Sequence, residues 1–145
     1  MNGDEIHVLH VDPAHTDGDS VVEFRGANVI HMGDTYFNGM YPFIDTSSGG
    51  TLSGLIGASD RVLKLADDET KIIPGHGPLS NKVELAQYRD MLVDVRSQIS
   101  SAIAAGNTVD EVVAAKPTAS FDARWGGGFM KADEFVRLAY TTLVR

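Results

Sequence analysis

The chain has 145 residues, 43% hydrophobic and 22% charged, with a formal net charge of -8 and no cysteine. That is enough apolar material for one packed domain, and it excludes disulfides and thiolate metal ligands. The acidic balance argues against a nucleic-acid backbone or an anionic membrane as the main partner, and no apolar run approaches the length of a membrane span.

The start, Met1-Asn2-Gly3-Asp4-Glu5, has neither the basic end nor the apolar segment of a secretory signal, and it leaves the compartment open. Asn2-Gly3 reads as a turn leading into a strand, which fits Met1 as an internal methionine of a longer reading frame. Glu5 to Val11 alternates and predicts a first strand, with Ile6 and Val8 on one face and Leu9 and Val11 on the other. A loop, Ala14-His15-Thr16-Asp17-Gly18-Asp19, follows. Ser20 to Arg25 predicts a second strand, Gly26-Ala27 a tight turn, and Asn28 to Met32 a third strand running into His31-Met32-Gly33-Asp34-Thr35. The next stretch, Tyr36-Phe37-Asn38-Gly39-Met40-Tyr41-Pro42-Phe43-Ile44-Asp45, is dense in aromatics. It reads either as the wall of a substrate pocket, with Tyr36 and Tyr41 as the candidate substrate-binding residues, or as a hydrophobic loop folded over the end of the sheet.

Ser47-Ser48-Gly49-Gly50-Thr51 has no lysine in P-loop spacing and reads as a lead into a helix from about Leu52 to Ala66, capped by Thr51 or a neighbour. A short apolar strand at Lys71 to Ile73 runs into Pro74-Gly75-His76-Gly77. Asn81 with Glu84 starts a long helix whose stripe is Leu85, Tyr88, Leu92, Val95, Ile99, Ala102 and Ile103, ended by Gly106. Thr108 with Glu111 is a capping box for a short helix closed by Lys116-Pro117. Gly126 to Gly128 predicts a turn whose flanking Trp125 and Phe129 pack inward, and Asp133 to Val144 a last amphipathic helix.

Strand direction gathers three side chains into one candidate site. In a meander, the first and third strands run the same way, so His15 and Asp34 emerge at one edge of the sheet. Strand, crossover helix and strand imply a parallel return, which brings His76 to the same edge. Edge loops are where rigid scaffolds carry chemistry, and two imidazoles with a carboxylate suit zinc, iron or manganese. His7 and His10 are three apart on a strand, point to opposite faces and cannot chelate one ion together. His31 reads as a packed or edge histidine.

The stretches around His15, Asp34 and His76 resemble the third-histidine, bridging-aspartate and last-histidine motifs of the metallo-β-lactamase-fold hydrolases, in that family's order. The resemblance covers about the first 80 residues closely, and the helical remainder with Trp125-Gly126-Gly127-Gly128-Phe129 looks like the tail of one hydrolase-like branch. The family's earlier signature, His-x-His-x-Asp-His, occurs nowhere in the chain. The resemblance therefore implies a single α/β domain over 1–145 that is half of an αββα sandwich, a mixed β-sheet with helices on one face. It also implies His15 on a first metal, His76 on a second and Asp34 as the bridge. Each ion then has two protein ligands where a catalytic site has three, so metal is expected to be held weakly or not at all and no catalytic residue is assigned.

Both faces of the sheet are apolar in sequence, and the chain's own helices can cover one. The other predicts a partner: a second copy packed sheet to sheet, or the N-terminal half of the domain. Two functional readings follow. One is the C-terminal portion of a metal-dependent hydrolase, inactive alone; the other is a non-catalytic dimeric domain that keeps remnants of the site.

Overall fold

A computed structural model of the chain describes residues 3–144. The turn proposed at Asn2-Gly3 and the question of Met1 fall largely outside that range. Three strands, β1 (Ile6–His10), β2 (Ser20–Phe24) and β3 (Val29–Phe37), form an antiparallel meander, and β4 (Lys71–His76) returns parallel to β3. The spatial order is β1-β2-β3-β4. Alternating, β-branched segments joined by a short turn make the meander, and the helical crossover forces the parallel return.

Two strands run further than their apolar stretches predict. β3 continues past Met32 to Phe37 and β4 past Ile73 to His76. The pairing shifts register on the way: His31 lies opposite Ile73, Gly33 opposite Pro74 and Phe37 opposite His76. Gly33 sits at that irregularity with φ 54°, a left-handed conformation that favours glycine, and Asp34 leaves the ladder just after it.

The crossover helix α1 (Leu52–Leu65) is capped by Thr51, whose hydroxyl accepts from the Gly54 N–H at 2.9 Å. The long helix α2 (Lys82–Ala104) is capped by Asn81, which accepts from the Glu84 N–H at 3.0 Å. α3 (Val109–Ala114) opens on the reciprocal Thr108–Glu111 box, and α5 (Ala132–Leu143) closes the fold. One element, α4 (Asp122–Trp125), is not visible in the sequence pattern, because four residues are too few to show a period.

α1 and α2 pack on β3 and on each other, and α5 packs against both helices. Beneath them the inner sheet face supplies Leu9, Val21, Ile30, Met32 and Ile72, all buried. The opposite face follows from the register, with Ile6, Phe24 and Val29 in one row and Val8, Val22, His31 and Ile73 in the next. Ile6 is 39% exposed and Val8 60%, so this apolar face carries no cover from the described residues. The architecture is the mixed, four-stranded sheet with helices on one face. Among the described residues no helix is long and apolar enough to cross a membrane.

Candidate functional site

Asp34, at the C-terminal end of the β3–β4 pair, stands between two imidazoles. His15 Nε2 is 3.7 Å from Asp34 Oδ2, and His76 Nε2 is 3.4 Å from Asp34 Oδ1. Each carboxylate oxygen thus faces a different histidine. The His15 side chain is 17% exposed, Asp34 42% and His76 48%, so the group opens to solvent.

Each residue is held there by identifiable local structure. The loop after β1 wraps the carboxylate of Asp19, which accepts from the His15 N–H at 2.6 Å, the Thr16 N–H at 3.0 Å and the Thr16 hydroxyl at 3.1 Å. The Thr51 N–H, donating to Ala14 O at 2.8 Å, ties the same loop to the start of α1. His15 Nδ1 lies 2.9 Å from the Phe43 carbonyl. A carbonyl only accepts, so Nδ1 carries a proton and Nε2 is the ring nitrogen turned to Asp34, the orientation a metal-ligating histidine needs. His76 ends β4, and its ring stacks on Phe37 with centroids 4.8 Å apart and planes at 13°. Gly75 makes room for Asp34: a Cβ at this position would collide with Asp34 Oδ1 and lie 2.6 Å from the Gly33 carbonyl.

The fold brings together all three residues that strand direction placed at one edge. Among the described residues, however, no group of three or more His, Cys, Asp or Glu is arranged to hold a metal ion. The three side chains form two pairs sharing Asp34 rather than a closed triad. Their chemistry, two imidazole nitrogens and a carboxylate with both oxygens available, fits a divalent ion on either side of the aspartate, with two protein donors each.

Tyr36 and Tyr41 are not part of this edge. Both are fully buried. The Tyr36 ring tilts against Tyr88 at 4.9 Å and its hydroxyl pairs with Ser80 Oγ at 2.8 Å. Tyr41 stacks on Phe135 at 4.9 Å and donates to Asp122 Oδ1 at 2.7 Å. Burial pushes the Tyr36 hydroxyl up to about 12 and raises that of Tyr41 as well, which keeps both neutral donors in the core. Two neighbours from the same aromatic stretch do stand at the edge. Phe37 lies beneath His76, and Phe43 meets His15 edge-on at 5.7 Å.

Phe129 is the residue the sequence misplaces. Trp125 packs inward as expected at 2% exposure, but Phe129 is 56% exposed and sits 5.9 Å from His76 and 6.1 Å from Phe37. Glycine spacing could not show that a loop 50 residues later returns to this edge. The other histidines stay outside the site: His7 meets Glu23 at 3.3 Å, His10 the Asp19 carbonyl at 3.0 Å, and His31 Nδ1 accepts from the Gly33 N–H at 3.0 Å. Two surface clefts of about 430 and 510 Å³ share Gln87 and Arg124 as lining residues, and neither is lined by His15, Asp34 or His76.

No protein-family model matches the sequence, and no curated protein matches it. Solved structures do. A metallo-β-lactamase from Pontibacter korlensis superposes with a TM-score of 0.56 at 18% identity, over 65% of this chain and 44% of that one. The B3 metallo-β-lactamase BLEG-1 gives a TM-score of 0.51 at 24% identity, over 60% of this chain and 41% of its own. The stereoselective inverting sec-alkylsulfatase Pisa1 from a Pseudomonas species gives 0.80 at 16% identity, over 97% of this chain and 24% of that chain. At such identities the likeness speaks for the fold: the chain is folded as part of a metallo-β-lactamase-fold domain. It spans less than half the length of each of these structures.

Proposed function

We propose that the chain is the C-terminal portion of a metallo-β-lactamase-like, metal-dependent hydrolase and is inactive by itself. Its contribution is His15 to one ion, His76 to a second and Asp34 as the bridge between them. The observation that carries this reading is the aspartate with each oxygen turned to a different imidazole. Bound divalent ions supply a water of lowered pKa and polarise the scissile group. The remaining ligands belong to the His-x-His-x-Asp-His motif, which the chain does not contain.

Two donors per ion predict weak binding to this chain alone. Zinc is the first ion to test, with iron and manganese as the alternatives that the same donors accept. Among substrates, sulfate esters come first in a screen, because the sec-alkylsulfatase likeness extends across the helical tail as well as the sheet.

The test is metal content by plasma mass spectrometry on chain purified without chelator, beside a His15→Ala, His76→Ala double variant. With zinc added in excess before a brief desalting, substoichiometric metal in the first and background metal in the second is expected, as two donors per ion allow. Equal metal above background in both would sink the assignment.

A second reading rests on the uncovered sheet face, with Ile6 and Val8 exposed. It is a homodimer packed face to face, retaining remnants of the site without catalysis. Light scattering at micromolar concentration decides it: a dimer that Val8→Lys dissociates supports it, and a monomer counts against it.

A further inference from the structure

Next to the polar edge lies an apolar surface that the metal ligands do not need. The Phe129 ring is 6.1 Å from the Phe37 ring, the Phe37 ring stacks on His76, and Phe43 stands edge-on to His15 at 5.7 Å. Phe37 is buried, whereas Phe129 is 56% exposed and Phe43 36%. The two imidazoles are therefore flanked by two accessible phenyl rings over a third that forms the floor.

Phe129 is not exposed for want of anchorage. Its loop is pinned by the Tyr41 N–H donating to Trp125 O at 2.9 Å and by Lys131 Nζ donating to Gly128 O at 2.9 Å. Gly128 presses on Met40 so closely that a Cβ there would come within 2.6 Å of the Met40 Cβ. A clamped loop that holds a large apolar ring in water beside a polar edge forgoes the stabilisation that burying the ring would give. Binding sites combine such apolar walls with a few convergent polar groups.

We propose that Phe129 beside His76, with Phe43 beside His15, is a specificity-determining wall that receives the alkyl or aryl part of the substrate while its polar reacting group faces Asp34. The substrate class is thus a hydrolysable compound with a bulky apolar group next to the scissile bond, a conclusion that rests on the hydrolase reading above. The wall itself needs no metal, which separates the two.

The probe is a series of primary alcohols from propanol to octanol, neutral and indifferent to metal occupancy, titrated into the purified chain and followed by NMR. Shifts are expected at the Phe129, Phe43 and His76 rings, with affinity rising up to about fourfold per added methylene. Phe129→Ala is expected to cut that gain to less than about twofold per methylene, while Phe129→Leu keeps most of it and Val83→Ala, an exposed apolar change at the start of α2, keeps all of it. No shifts at these rings, or the same chain-length dependence in Phe129→Ala, would overturn the wall. So would ring shifts that follow protein concentration without alcohol, which would put Phe129 in a contact between copies. Alcohol binding that persists in the His15→Ala, His76→Ala variant supports the wall, and it does so even if the chain takes up no zinc, an outcome that counts only against the metal reading.

Discussion

The parallel pair β3–β4 carries an aspartate near each end, and the two are treated oppositely. Asp67, ahead of β4, is engaged through one oxygen: its Oδ1 accepts from Asn28 Nδ2 at 3.0 Å, Thr70 Oγ1 at 2.8 Å and the Glu69 N–H at 3.0 Å. These bonds tie the loop before β3 to the loop before β4, and the Asn28 and Thr70 contacts hold its carboxyl below the usual carboxylate range. Asp34, at the other end, meets imidazoles at 3.4 and 3.7 Å, longer than ordinary hydrogen bonds, in space cleared by Gly75. One carboxylate closes the fold. The other turns each oxygen to an imidazole nitrogen, a donor set into which a cation would fit.

Asp34→Asn sharpens that contrast most. It removes the shared charge from both pairs, and zinc affinity measured by calorimetry is expected to fall by about a hundredfold or more, with thermal stability unchanged. Unchanged zinc binding would mean that Asp34 is as structural as Asp67. Gly75→Ala comes next, because the added methyl meets the Asp34 carboxylate and the Gly33 backbone rather than a flexible side chain. Overpacking of this kind costs about 1–3 kcal/mol, read by urea unfolding, and should displace Asp34 enough to weaken zinc as well. Tyr36→Phe is smaller. It leaves Ser80 Oγ without its tyrosine partner and is expected to cost about 1 kcal/mol with no change in zinc or alcohol binding. A change at the site without loss of stability would restore Tyr36 as a substrate contact.

The same contrast marks what could be read from residues alone. Alternation gave away β1 and β2, and the crossover helix between β3 and β4 gave their parallel direction, which was enough to bring His15, Asp34 and His76 together before any geometry was known. The aromatic stretch was legible as important but not in its details. Counting alternate residues from Ile30 puts Tyr36 on the helix side, where it meets Tyr88, but after Gly33 the register of β3 slips, so counting cannot show that Asp34 and Phe37, of opposite parity, both reach His76. Phe129 was beyond reach for a different reason. Its place depends on α4 and on the Tyr41–Trp125 backbone bond, a tertiary contact with no local sequence signal. The exposed apolar residues on β1, Ile6 and Val8, had a signal, since both faces of the sheet read as apolar, and the helices cover only one.

Asp67 offers the finest test of the closed end. Its folded pKa lies below the ordinary aspartate value, so its bonds to Asn28 and Thr70 stabilise the fold above the unfolded pKa. That contribution is lost as pH falls through the folded value, when the carboxyl must protonate within the network. Asp45 and Glu111 are lowered too, by hydrogen bonds from Ser47 and Ser48 and from Thr108, so the acid dependence of the whole chain is composite. The informative quantity is the difference in melting temperature between the chain and Asp67→Asn. It is expected to be small and positive near neutral pH, then to shrink between about pH 4 and the folded pKa as the native carboxylate takes up its proton and the asparagine does not titrate. A difference that stayed constant across that range would show that the Asp67 bonds hold as well with a neutral side chain, and the closed end of the β3–β4 pair would owe its order to shape rather than to charge.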